Sequence, residues 1–438
     1  MRMIEPVFIK DARFVLTMDG SGSILENANV RIEEGRIDGI GDIEPSRGDE
    51  IVEGRRKILM PGLVNSHTHA AMIILRGLND DAPLDCWLQS MWAVEGRLAP
   101  EVEEIGAEMA FLEMIRSGTT ACLDMYGAFE AARAAGRVGL RLAAGPPLIS
   151  VFGSTDDRLE QAGRFLEEFR EHPRIKPVVN LHSIYTNDED AIKRAADLSV
   201  REDLLLNVHC SETRKEVFDN RKERGRLAVE ELDEWGALMK NTVLVHLGWA
   251  SSWEFQMIGR ADAATVHCPN SNQKLGTGGF FPFRDLSGMG IRVGIGTDSA
   301  ASNNSLDMFR EMKAMALLQK GQYWDPTAAT ASDALKCGTF GGSDILGIDT
   351  GRIERGRSAD LIMIGIDPTI MPLRMDNLAS ALVYSAAGHL VDMTMVEGEI
   401  LYSEGRLRNG MKLDDRFGEL ADSIPDSLFD QPVVDQTQ

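Results

Sequence analysis

The sequence predicts a (β/α)8 TIM-like barrel joined to a small β-sandwich domain built from both chain ends. Two observations carry that reading. Between Pro61 and Gly347, eight short apolar runs recur, GLVNSH, TTACLDM, LRLAAG, KPVVNLH, LLLNVHC, TVLVHLG, ADAATVHC and RVGIGTD, with helix-like stretches between most of them. Strand and helix alternating eight times imply a parallel barrel, with a doubly wound open sheet as the structural alternative. Outside this region, apolar and polar positions alternate between turn signals, the texture of short antiparallel strands.

Taken in order, residues 1–60 hold the first part of the sandwich, in FVLTM, ANVRIEEGRIDGIGDI and DEIVEGRRKILMPG. Residues 61–347 are the barrel. Its connecting helices are clearest in PEVEEIGAEMAFLEMIRSGTT, where Pro100 suits a first helical turn and Val102, Ile105, Met109, Leu112 and Ile115 recur at helical spacing. Gly118 suits the stop. The strand texture returns at residues 348–412, in TGRIERGRSADLIMIG and DMTMVEGEILYSEGRL, as the second part of the sandwich. Residues 413–438 read as an acidic C-terminal helix and loose tail.

Composition narrows the function classes. With 43% apolar and 26% charged residues this is an ordinary soluble globular chain. A net charge of -22 opposes sequence-independent binding to nucleic acid, whose phosphates need a basic surface. The five cysteines, Cys86, Cys122, Cys210, Cys268 and Cys337, are scattered and form no Cys-x-x-Cys pair, so neither a disulfide framework nor a zinc ribbon is indicated. No apolar run approaches membrane-spanning length and the N-terminal stretch is charged throughout, so a cytoplasmic location without membrane partners is expected. A homo-oligomer, dimer or tetramer, is the ordinary expectation for a soluble enzyme.

The unusual polar residues sit at the carboxyl ends of the barrel strands, where barrel enzymes place their chemistry. The first strand ends in His67 and His69, the fourth in His182, the fifth in His209, the sixth in His246, the seventh in His267 and the eighth in Asp298. Of eight histidines only His172 and His389 lie elsewhere. Neutral imidazoles with a carboxylate suit one divalent metal ion, zinc above all, with iron or manganese as alternatives. His67, His69, His209 and Asp298 form a ligand set from strands one, five and eight. Lys176 precedes its apolar run instead of ending it, so no lysine stands ready to bridge a second ion. Glu212, three residues after His209 in HCSE, is placed to shuttle protons without ligating metal. His246 suits holding the attacking water or the leaving group, and His267 reads as a buried hydrogen-bonding support.

PGLVNSHTH, HCSE, VLVH and GIGTDSAASNNSLDM resemble the signature segments of the amidohydrolase superfamily. Together with LRGLNDD, VEGRL, LHSIYT and HCPNSNQKLGTGG, the last of them is similar to the branch acting on 5-methylthioadenosine, S-adenosylhomocysteine and 5'-deoxyadenosine. The resemblance implies His67, His69, His209 and Asp298 as metal ligands, Glu212 as proton shuttle and His246 as a water contact. It further implies Glu95 and His182 as contacts to ribose and purine, Trp87 as pocket lining and Arg141 at the far end of the 5' substituent. LAAGPPLIS, after Arg141, offers no second arginine for an amino-acid carboxylate, which favours 5'-deoxyadenosine or methylthioadenosine over S-adenosylhomocysteine. The implied activity is metal-dependent hydrolytic deamination of such nucleosides to inosine-type products and ammonia. The alternatives are an s-triazine chlorohydrolase or aminohydrolase, a cyclic-amide hydrolase, and a scaffold without enzymatic activity.

Overall fold

The computed structural model describes residues 5–82 and 84–429. Eight parallel strand segments form a ring. Leu63–His69 pairs with Thr119–Asp124, which pairs with Arg141–Ala144, which pairs with Ile175–Pro177. The fourth strand continues as Val179–Ser183 and pairs with Leu206–Cys210, followed by Thr242–His246, Ala264–His267 and Val293–Ile295. Three residues further on, Asp298 and Ser299 lie opposite Thr68 and His69, bringing the eighth strand back to the first.

These strands are buried on both faces, which is why they read as apolar runs without alternation. Their polar interior residues are paired across strands. Asn65 Nδ2 donates to Thr297 Oγ1 at 2.7 Å, Asn207 Nδ2 to Asn180 Oδ1 at 3.0 Å, and Asn180 Nδ2 to the carbonyls of Asp124 and Gly145. Such satisfied bonds in a dry interior fix one strand register and one orientation of the strand ends. The helix Pro100–Arg116 forms where its spacing predicts, begins with Pro100 and gives way to Gly118 at φ +89°.

Both chain ends contribute to one nine-stranded sheet. Lys57–Pro61, leading into the first barrel strand, pairs antiparallel with Leu361–Gly365 and parallel with Val7–Leu16. Ile9, Val30 and Ile32 share a core with Leu361, Met363, Met393 and Met395, so the sheet curls over itself into two packed layers. Part of the predicted strand texture is absent. Gly351–Asp360 is turn and loop, because its charged residues act as anchors: Arg357 on Asp349 and Glu354, Arg352 on Asp344. Between the returning strands, Leu378–Tyr384 is a helix whose Leu378, Leu382 and Val383 pack with Phe309 and Met312 of the barrel's outer layer. The acidic terminal helix is Leu413–Asp422, held by Arg416 on Glu108, and the end of the expected tail, 430–438, lies outside the described residues. No helix among the described residues is long and apolar enough to cross a membrane.

Candidate active site

The first strand delivers His67 and His69 to the barrel mouth, both buried. Space for them is made by strand eight: a side chain at Gly296 would place its Cβ 2.7 Å from the His67 carbonyl oxygen. His67 Nε2 lies 3.0 Å from His209 Nε2, and Asp298 Oδ1 lies 3.1 Å from His69 Nε2 and 3.7 Å from His67 Nε2. At most one proton can lie between two ring nitrogens that close, so the remaining lone pairs face one another. A tetrahedral ion with bonds of about 2.1 Å sets its ligand atoms about 3.4 Å apart, which the observed separations bracket. His67, His69 and His209 form the metal-capable cluster among the described residues, and with Asp298 beside them the donors fit one divalent metal ion.

Electrostatics keep the donors ready. Burial, reinforced by the neighbouring rings, holds His67 and His209 well below the usual imidazole range and hence uncharged. Burial works against a charged Asp298, but the hydrogen bond and charge of His69 outweigh it, holding the carboxyl well below its usual range, and the same contact raises His69 against its own burial. Asp298 and His246 are both in the left-handed region, at φ 60° and 80°. Aspartate and histidine both occur there more often than other side chains, yet a non-glycine residue in that region still carries strain, of the kind that collects at working sites.

Glu212 follows the fifth strand, and its Oε2 lies 3.8 Å from His246 Nε2. Burial pushes the Glu212 carboxyl up, partly offset by His246, so it keeps a proton to a higher pH than a free glutamate. Glu216, one helical turn on, accepts from the backbone N–H groups of Ser211, Glu212 and Thr213 and fixes this corner. The Thr-x-x-Glu spacing of Thr213 and Glu216 is a capping-box signal that could have revealed it in the sequence. Two other residues were missed. Ser271 Oγ donates to Asp298 Oδ2 at 2.6 Å, and Asn272 Nδ2 stands 3.1 Å from His246 Nδ1. Both ride the short helix Pro269–Lys274, whose first turn opens with a proline directly after the seventh strand.

His182 stands beside the cluster, its ring 5.0 Å from that of His209. Its Nδ1 meets Thr186 Oγ1 at 3.0 Å, and burial lowers it to about 3, so the ring is neutral at working pH. Glu95 closes the helix Leu84–Glu95; burial raises its carboxyl, and the charge of His69 acts on it in the opposite sense. Trp87, on the same helix, is buried and its indole N–H has no partner among the described residues. His267 is buried as a supporting residue would be, but its Nδ1 has no hydrogen-bond partner among the described residues; its ring stacks on that of Phe281 at 4.5 Å.

Arg141 requires a correction. It opens the third strand, at the opposite end from the mouth, with its guanidinium on Asp360, Glu397 and Ser358. It ties the barrel floor to the returning β strands and does not reach the site. Tyr126 lies 5.0 Å from His69, ring centre to ring centre. Arg158 stands in the first turn of the helix Thr155–Phe169, the end of that helix nearer the third strand's carboxyl end. The sequence signal was the lone arginine after two aspartates in STDDRLEQ, beyond the stretch searched for a second arginine.

A buried three-histidine cluster with an aspartate at the mouth of a (β/α)8 barrel defines a metal-dependent hydrolase. The model of the amidohydrolase family matches residues 58–401, and the chain belongs to that family. Over 399 residues it is 39% identical to the 5'-deoxyadenosine deaminase of Methanothermobacter thermautotrophicus, covering 89% of this chain and 92% of that protein. It is 37% identical over 409 residues to the 5-methylthioadenosine/S-adenosylhomocysteine deaminase of Nitratidesulfovibrio vulgaris, covering 91% of this chain and 92% of that one. Among solved structures it resembles a zinc-bound adenosine deaminase from Xanthomonas campestris, with a TM-score of 0.90, 31% identity, and coverage of 95% of this chain and 97% of that one.

Proposed function

We propose that this protein is a metal-dependent aminohydrolase that deaminates adenosine-type nucleosides at carbon 6 of the purine, releasing ammonia and an inosine-type product. The observation that carries the proposal is the convergence of His67, His69, His209 and Asp298 with Glu212 and His246 beside them, in a chain whose relatives are nucleoside deaminases. We take the ion to be zinc, held by His67, His69, His209 and Asp298. Once bound, a divalent ion of this kind would lower the pKa of water to about 7 and so supply a nucleophile at neutral pH.

The chain's own groups do the rest. Asp298 and His246 orient the attacking water and accept its proton, and Ser271 and Asn272 hold those two side chains in place. Glu212, protonated, gives its proton to the ring nitrogen next to carbon 6 as the carbon–oxygen bond forms. Left as a carboxylate, Glu212 takes the hydroxyl proton from carbon 6 and passes it to the amino group, so that the carbonyl forms, the carbon–nitrogen bond breaks and ammonia leaves; the proton held by Asp298 and His246 then returns to Glu212. His182, with Nδ1 occupied by Thr186, presents Nε2 to the purine, while Glu95 takes the ribose hydroxyls and Trp87 lines the pocket. These contacts raise the rate only by holding carbon 6 at the water. Arg158 supplies a cation toward the 5' end. Cytoplasmic location and a homo-oligomer, dimer or tetramer, remain part of the proposal.

The test is ammonia release by metal-replete protein from adenosine, 5'-deoxyadenosine, methylthioadenosine, S-adenosylhomocysteine, guanine and an aminotriazine. Release from the adenosine compounds supports the proposal. Release from guanine or the triazine alone overturns it.

A further inference from the structure

Three strand-end segments meet at one lysine that the mechanism does not use. Lys274 ends the helix Pro269–Lys274, and its Nζ donates to Asp80 Oδ1 at 2.7 Å, to the Ala301 carbonyl at 2.9 Å and to Asn304 Oδ1. Three ammonium protons therefore find three acceptors. Asn304 Nδ2 also donates to the second oxygen of Asp80, closing a triangle between the segments that follow strands one, seven and eight. Next to Asp80, Asn79 Nδ2 donates to Ser90 Oγ at 2.9 Å, on the helix Leu84–Glu95 that carries Trp87 and Glu95. The helix that ends in Lys274 is also the one whose Ser271 and Asn272 hold Asp298 and His246. One short element thus grips the catalytic pair with its middle and the substrate segment with its end.

We propose that Lys274 is a positioning residue: its clasp on Asp80 and Asn304 fixes the segment bearing Trp87 and Glu95 over the barrel mouth. The role rests on the nucleoside reading above, in which Glu95 takes the ribose. An isolated ion pair at a surface contributes little. Here the side chains of Lys274 and Asp80 are 20% and 28% exposed, and the pair is embedded in a network with Asn304 and a backbone carbonyl. Breaking it frees the ribose-binding segment to sample poses in which Glu95 misses the sugar, so the loss falls on KM more than on kcat.

The experiment compares Lys274→Met, Asp80→Asn and Lys274→Arg with the parent protein, each loaded with zinc, in nucleoside kinetics and in hydrogen exchange of residues 86–95. Expected are a rise in KM of at least tenfold in Lys274→Met and Asp80→Asn with kcat much less affected, partial recovery in Lys274→Arg, and faster exchange in 86–95. Adding Lys274→Met to Glu95→Gln should raise KM no further, because the clasp acts through Glu95. Unchanged KM and exchange in Asp80→Asn, or additive losses in the double variant, overturn the proposal. If the parent protein releases no ammonia, the nucleoside reading fails by itself. The exchange comparison still decides the clasp: faster exchange in both variants supports it and unchanged exchange overturns it.

Discussion

Glu212 Oε2 stands 3.8 Å from His246 Nε2, a carboxyl raised by burial facing an imidazole that Asn272 holds from its other side. Under the proposed function this pairing lets Glu212 deliver the proton and His246 orient the water. Glu212→Gln keeps the shape and removes the transferable proton, so kcat should fall by about a thousandfold. Bound metal, measured by elemental analysis, should stay at one ion per chain. Loss of the ion along with the activity would show that Glu212 is structural.

The raised carboxyl also sets a pH profile. Glu212 acts in its protonated form, so activity should decline as pH rises through its elevated pKa, and kcat/KM should show a basic limb. Its position is read against Asn272→Ala, which frees His246 and should shift that limb. A profile flat from acid to alkaline pH would contradict the assignment.

Ser271 should matter although it touches no substrate. Its 2.6 Å bond fixes Asp298 Oδ2, and removing an outer partner of a ligand typically costs about tenfold to a hundredfold in metal affinity or activity. Ser271→Ala should therefore need more zinc for half-maximal activity, measured by titrating metal into chelator-treated protein. An unchanged titration would remove Ser271 from the site.

The two arginines separate cleanly. Arg141→Met breaks a buried pair with Asp360 and should destabilise the fold by about 3 kcal/mol in denaturant unfolding while leaving kcat/KM of the folded enzyme intact. Arg158→Gln should do the reverse, leaving stability unchanged and raising KM for substrates with a carboxylate on the 5' tail more than for 5'-deoxyadenosine. A larger KM effect from Arg141 would restore the expectation drawn from the sequence.

Two buried glutamates contribute stability that is lost as the solution becomes less acidic. Burial raises Glu216 and Glu311 to about 7 each from ordinary glutamate values. Between an unfolded pKa of about 4.3 and the folded value the native chain binds more protons than the unfolded one, so stability drops across that window and levels off above it. The buried histidines His67, His182 and His209 act in the opposite sense below about pH 6.5, since they stay neutral in the fold and charge in the unfolded chain, so the glutamate contribution is read as a difference. From pH 5 to pH 8 the Tm of Glu311→Gln relative to the parent should rise with pH, and a difference that does not change with pH would contradict it.

The barrel was legible because strands buried on both faces must be apolar throughout, and the metal cluster because histidine is an expensive residue with which to end such a strand. Other features were not legible for definite reasons. Ser271 and Asn272 are ordinary helix-start residues until the fold brings Asp298 and His246 to them. Arg141 begins its strand, and a strand's beginning lies at the barrel floor, a direction that a resemblance of segments does not carry. Leu378–Tyr384 was hidden between two stretches of strand texture, since its apolar face serves the barrel and not the sheet. Arg158 carried no motif; it stands in the first turn of the helix that follows the third strand.

The most direct test of the central claim is a turnover of 5'-deoxyadenosine by zinc-loaded protein in water enriched in heavy oxygen. Hydrolytic deamination predicts one heavy oxygen on the purine base of the product and one ammonia per nucleoside consumed, with both abolished in Glu212→Gln. Unlabelled product, or intact nucleoside after incubation with a fully metal-loaded enzyme, would contradict it.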